Sequence, residues 1–145
     1  MCSKDCLYLD VYTPNVSMSF PAMVYIHGVS YETGSPFIHA SDILALQGVV
    51  VVVIQYRPDP FGFLTIGDSV SSGKYGSGNT KVQRVKSNMK HFGGNPSKVA
   101  FFDASAGGSS VGLHLLSPLS EDLFHQAVVE RGVELTGQQC QFKSE

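Results

Sequence analysis

Val99-Ala100-Phe101-Phe102-Asp103-Ala104-Ser105-Ala106-Gly107-Gly108 reads as an apolar strand, a turn of small residues and the start of a helix that runs on from Val111 to Leu116. Strand, tight turn and helix with a serine at the apex is the layout of a nucleophile elbow. Such a turn strains the serine backbone, lifts the hydroxyl above the strand ends and aims the next N–H at a developing oxyanion. Ser105 is therefore the candidate nucleophile and Ala106 a candidate oxyanion donor. Small neighbours are required because strand and helix approach closely there. Asp103 stands where Gly-x-Ser-x-Gly has its first glycine, and a plain strand–helix connection would also read this way.

Upstream, Ala22 to Ile26 is a strand that ends at His27-Gly28-Val29-Ser30-Tyr31. Backbone N–H groups at such a strand end can face a substrate carbonyl oxygen where side chains are small, so this segment reads as a candidate oxyanion loop. Val29 and Ser30 replace the glycines such a loop prefers.

The remaining segments set these two strands in a sheet. Leu7, Leu9 and Val11 alternate with Tyr8, Asp10 and Tyr12 up to Pro14, the period of a half-buried strand. Val49 to Tyr56 is apolar on both faces, which suits a central strand covered on both sides by helices. Ala127 to Val129 predicts a last strand. Ser41-Asp42 predicts the cap of a short helix through Ile43, Leu44 and Leu46, closed by Gly48. Val82, Val85, Met89 and Phe92 make one apolar helical stripe, read as core, that stops at Gly93-Gly94-Asn95-Pro96. The stretch from Thr65 to Thr80 reads as a long surface loop. Alternating strands and helices predict an α/β fold with a mostly parallel sheet.

Composition narrows the function classes. The 145 residues carry ten Lys and Arg against twelve Asp and Glu, a net charge of −2, with no basic block to follow a nucleic-acid backbone. Hydrophobic residues are 43% and charged residues 15%, which excludes a disordered chain. The longest strongly apolar run, Val49 to Ile54, is far short of the ~20 residues of a membrane span. The first six residues are polar, so no leader is expected within this sequence, which taken literally starts in the cytosol. Cys2, Cys6 and Cys140 have neither disulfide-framework nor zinc spacing, and no metal or cofactor site is expected. Asn15-Val16-Ser17 fits the N-glycosylation pattern, which has meaning only in a secreted chain.

Several longer motifs fall in one register. Lys4 to Pro14 (KDCLYLDVYTP), Val24 to Gly28 (VYIHG), Tyr56-Arg57 with Phe61 to Leu64, Phe92 to Val99 (FGGNPSKV), Ser105 to Gly108 and Leu116-Ser117-Pro118 follow in that order. With them the chain resembles the type B carboxylesterase and cholinesterase family, which includes the neuroligins. The resemblance runs over nearly all of residues 1–145 and implies a partial α/β-hydrolase fold, with an N-terminal antiparallel strand pair, amounting to about a quarter of a family domain.

It further implies that Ser105 is the nucleophile and that Gly28, Val29 and Ala106 lie on or beside the oxyanion donors. The family's triad acid and histidine fall beyond Glu145. Family members are typically secreted, at the cell surface or in the endoplasmic reticulum. Cys6 matches the second half of the family's first disulfide, with its partner before residue 1, and would be a free thiol here. Lys4, Arg84, Ala104 and Arg131 depart from the usual Glu, Trp, Glu and Ser, and Asn79 replaces an aspartate, with about two residues missing nearby.

A serine needs a base. His114 would lie roughly 13 Å along the helix from Ser105 at 1.5 Å per residue, too far for a hydrogen bond, and reads as a packing or surface residue. His27 shares a sheet edge with Ser105, and the resemblance implies that it shapes the oxyanion loop. His39, His91 and His125 read as surface residues. The expectation is a fragment of a carboxylic ester hydrolase, inactive as this chain. The alternatives are a neuroligin-like adhesion module with a cell-surface partner, or a truncated product without function.

Overall fold

The computed structural model describes residues 8–28, 41–56, 79–103 and 106–130. Five strands, β1 (Leu9–Tyr12), β2 (Phe20–Ile26), β3 (Val50–Ile54), β4 (Gly94–Asp103) and β5 (Gln126–Val128), form one sheet in the order β1-β3-β2-β4-β5. Among the described residues three α-helices accompany them: α1 (Ser41–Leu46), α2 (Asn79–Asn88) and α3 (Ala106–Leu116). All pairings are parallel except that of β1, which runs antiparallel to β3 with Leu9 opposite Ile54. The antiparallel pair expected at the N-terminal end thus joins the first strand to the third. The chain is α/β, with a mostly parallel sheet and flanking helices.

β3 is five β-branched residues in a row, all buried. Successive side chains of a strand point to opposite faces. Val50, Val52 and Ile54 enter the main core with Val24, Ile26, Val99, Phe101 and Val111, while Val51 and Val53 are equally buried on the other face. α1 packs against β3 and β1. It buries Ala45 and leaves Ile43 and Leu46 exposed. Ser41 does not act as the expected cap: its buried hydroxyl has no partner, and Asp42 Oδ1 accepts the Ile43 N–H instead (2.9 Å). Gly48 closes the segment at φ +84°, as the sequence predicts.

The stripe on α2 is core at Val82, Val85 and Met89, whereas Phe92 is 37% exposed. Phe92 is the last residue of a 3₁₀ turn, Met89–Phe92, which Gly93 closes in the left-handed region at φ 73°, so it stands at the helix end rather than under the body of the stripe. β4 also begins five residues before the expected Val99. Gly94 pairs with Phe20, whose N–H donates to Gly93 O at 2.8 Å, before a register shift brings Ala22 opposite Val99.

The sheet order creates a switch point. From β2 the chain moves to β3 on one side, and from β4 it moves to β5 on the other, so β2 and β4 are neighbours whose connections diverge. Ligands of open α/β sheets bind at the carboxyl ends of such strands. Among the described residues no helix is long and apolar enough to cross a membrane.

Candidate active site

Ile26 and Asp103 are the last paired residues of β2 and β4. His27-Gly28 and Ala104-Ser105 therefore follow from adjacent strand ends. Ser105 and Val29 lie outside the described residues, as do Ala104 and Arg131. The flanks of Ser105 are described: β4 ends at Asp103 and α3 starts at Ala106. Ala106 N–H is one of the first-turn amides, which lack an intrahelical acceptor and carry the positive end of the helix dipole.

α3 starts directly against β2. A Cβ on Gly107 would lie 2.2 Å from the Ile26 carbonyl oxygen and 3.2 Å from Asp103 Cβ. Only a residue without a side chain fits, and this close approach is what a sharp strand-to-helix turn demands. The sequence singled out Gly107 as small; its partner on β2 depends on the strand order.

Gly28 is buried. The Tyr56 hydroxyl donates to His27 O (2.7 Å) and reaches Gly28 O (3.4 Å), pinning the start of the candidate oxyanion loop to the end of β3. The His27 ring, 2% exposed, stacks on Tyr56 with centroids 4.1 Å apart and planes 11° apart. Burial lowers the His27 pKa, the Gly28 carbonyl and Gln55 side chain raise it in part, and the Lys81 charge lowers it further. Its Nδ1 lies 3.4 Å from Gly28 O, and its Nε2 is buried without a partner. Tyr56 is a positioning residue whose role sequence reasoning missed. The available signal was a tyrosine two residues past a strand adjacent to β2.

Asp103 is 3% exposed. Its Oδ1 accepts the Glu130 N–H (3.1 Å), while Oδ2 has no partner. Burial pushes its pKa up to about 6, with the Glu130 amide opposing and the Glu130 carboxylate adding to the rise. Across the β2–β4 pairing, Tyr25 packs on Phe102, and its pKa is raised by burial and by the Asp103 and Glu130 charges.

The other described histidines stand elsewhere. His114 is buried, stacks edge-on against Phe101 and shares a 2.8 Å hydrogen bond with Ser120, and burial lowers its pKa. His125 accepts the Val99 N–H through Nδ1 (3.3 Å) and donates its own N–H to Val99 O (2.8 Å), near the start of the paired stretch of β4. His91 is exposed in the 3₁₀ turn, and His39 lies outside the described residues. Among the described residues no three His, Cys, Asp or Glu groups gather as metal ligands.

The chain is 44% identical over 139 residues to human cocaine esterase, covering 92% of this chain and 25% of that protein. It is 42% identical over the same length to rat acylcarnitine hydrolase and 44% identical over 140 residues to rat carboxylesterase 1D, with the same coverage of each. It thus spans about a quarter of the length of these curated relatives. Because the model of the carboxylesterase family matches residues 2–144, nearly the whole chain, the chain belongs to the carboxylesterase family.

Proposed function

We propose that this chain carries the nucleophile and oxyanion portion of a carboxylic ester hydrolase site, and that the 145 residues alone do not turn over ester. In this reading the Ser105 hydroxyl attacks the ester carbonyl carbon and the alcohol leaves. Water then releases the acid from the acyl-serine. The N–H groups of Gly28, Val29 and Ala106 receive the oxyanion, and acyl transfer by this route uses no metal or cofactor. The observation that supports it most is the seat of Gly107 on the Ile26 carbonyl, beside the two strand ends that lead to these residues.

The described histidines do not supply a base. His114 is bonded to Ser120, His125 to Val99, and His27 is stacked under Tyr56. The purified chain should therefore show aryl-ester hydrolysis and fluorophosphonate labelling no higher than a Ser105→Ala control. Labelling that disappears in that control would overturn the inactive reading, and His27 would be the first base to mutate.

Asp103 favours a second reading, a family fold kept for binding without catalysis. A buried carboxylate two residues before the serine opposes a developing negative charge whenever it is ionised. The same assays on a full-length parent separate the two.

A further inference from the structure

We infer that Asn15 is an N-glycosylation site, occupied when the chain is delivered to a secretory lumen. Asn15-Val16-Ser17 is the sequence's one Asn-x-Ser/Thr triplet without proline in the middle. It lies in the exposed connection between β1 and β2, where residues 14–19 all face solvent. Asn15 Oδ1 accepts the Ser17 N–H (2.8 Å), so the amide oxygen is engaged and the Ser17 hydroxyl is drawn to the same turn.

The backbone beneath is firmly held. Thr13 Oγ1 donates to Phe92 O (2.8 Å), Phe20 N–H donates to Gly93 O (2.8 Å), and a Cβ on Gly93 would lie 2.1 Å from Asn15 O. The acceptor is thus a fixed turn with its side chain in water. Asn95-Pro96-Ser97 makes the same kind of turn, with Ser97 N–H on Asn95 Oδ1 (2.9 Å), but proline bars it as an acceptor.

Placement makes a glycan compatible with the candidate site. Asn15 precedes β2 and Gly28 follows it, so the two lie at opposite ends of a strand about 20 Å long. A sugar here would stand over Val16 and Met18, each 57% exposed, and beside Phe92, and would shield apolar surface that is otherwise in water. In the transfer the Asn15 side-chain nitrogen attacks C1 of an oligosaccharide carried on a polyprenyl pyrophosphate. The N–C1 bond forms, the C1–O bond breaks, the lipid pyrophosphate leaves with the electron pair, and the nitrogen gives up one proton.

The test is translation of the full chain behind a cleavable leader with endoplasmic-reticulum microsomes, followed in the protease-protected fraction. Wild type should show one increase in mass, removed by peptide N-glycosidase. Asn15→Gln and Ser17→Ala should lose it, and Ser17→Thr should raise the occupied fraction. A protected chain that stays unmodified in both wild type and Ser17→Thr, or a modification that persists in Asn15→Gln, would overturn the assignment.

Discussion

Between its ordinary 3.8 and about 6, the carboxyl group of Asp103 makes the stability of the molecule depend on pH. A carboxyl whose folded pKa is raised contributes stability that is fully present below its unfolded pKa and lost as pH rises through the folded value. The loss is at most ~3 kcal/mol, from a shift of about two pH units at ~1.4 kcal/mol each. His27 and His114 act in the opposite sense, losing stability as pH falls below their ordinary 6.5. Comparison of wild type with Asp103→Asn isolates the carboxyl. Urea midpoints should coincide more closely below the window, and the variant should be the more stable above it; equal pH dependence would contradict the buried, partly unpaired carboxylate. Sequence alone marks Asp103 as the odd residue of the turn. Its partner is not legible there, because Glu130 lies 27 positions away and is brought close only by β5 pairing with β4.

The junction of α3 with β2 is the element on which the proposed site would rest. Gly107→Ala would place a methyl 2.2 Å from the Ile26 carbonyl oxygen, and backbone cannot yield as a flexible side chain can. Overpacking of this kind costs about 1–3 kcal/mol, read as a lower urea midpoint. An unchanged midpoint would show that α3 does not rest on β2. Elements of this chain were legible where their signal is local. β3 is a run of β-branched residues, and the α2 stripe has one period until Met89. The long start of β4 was not, since it requires Phe20 to sit opposite Gly94, a pairing no window around residue 94 contains. Phe92 has the stripe's spacing but is the last residue before Gly93 turns the chain, and spacing alone does not tell a core position from a helix end.

For the whole molecule, the order β1-β3-β2-β4-β5 sets the strands that lead to two separate motifs side by side. His27-Gly28 and the serine turn are nearly eighty residues apart in sequence, yet they follow adjacent rungs of the same sheet. Motif order pointed to this arrangement through resemblance. Tyr56 is among the motif residues, and the structure adds what its hydroxyl does: it ties the end of β3 to the carbonyls of His27 and Gly28. The decisive measurement is fluorophosphonate labelling of a chimera in which this chain replaces the matching quarter of the human relative, which then supplies whatever completes the site. The adduct should map to Ser105 by mass spectrometry, be lost in Ser105→Ala, and form faster when Asp103→Gly removes the buried carboxylate. A folded chimera with a cooperative melt but no Ser105 adduct, with or without Asp103→Gly, would contradict the nucleophile assignment.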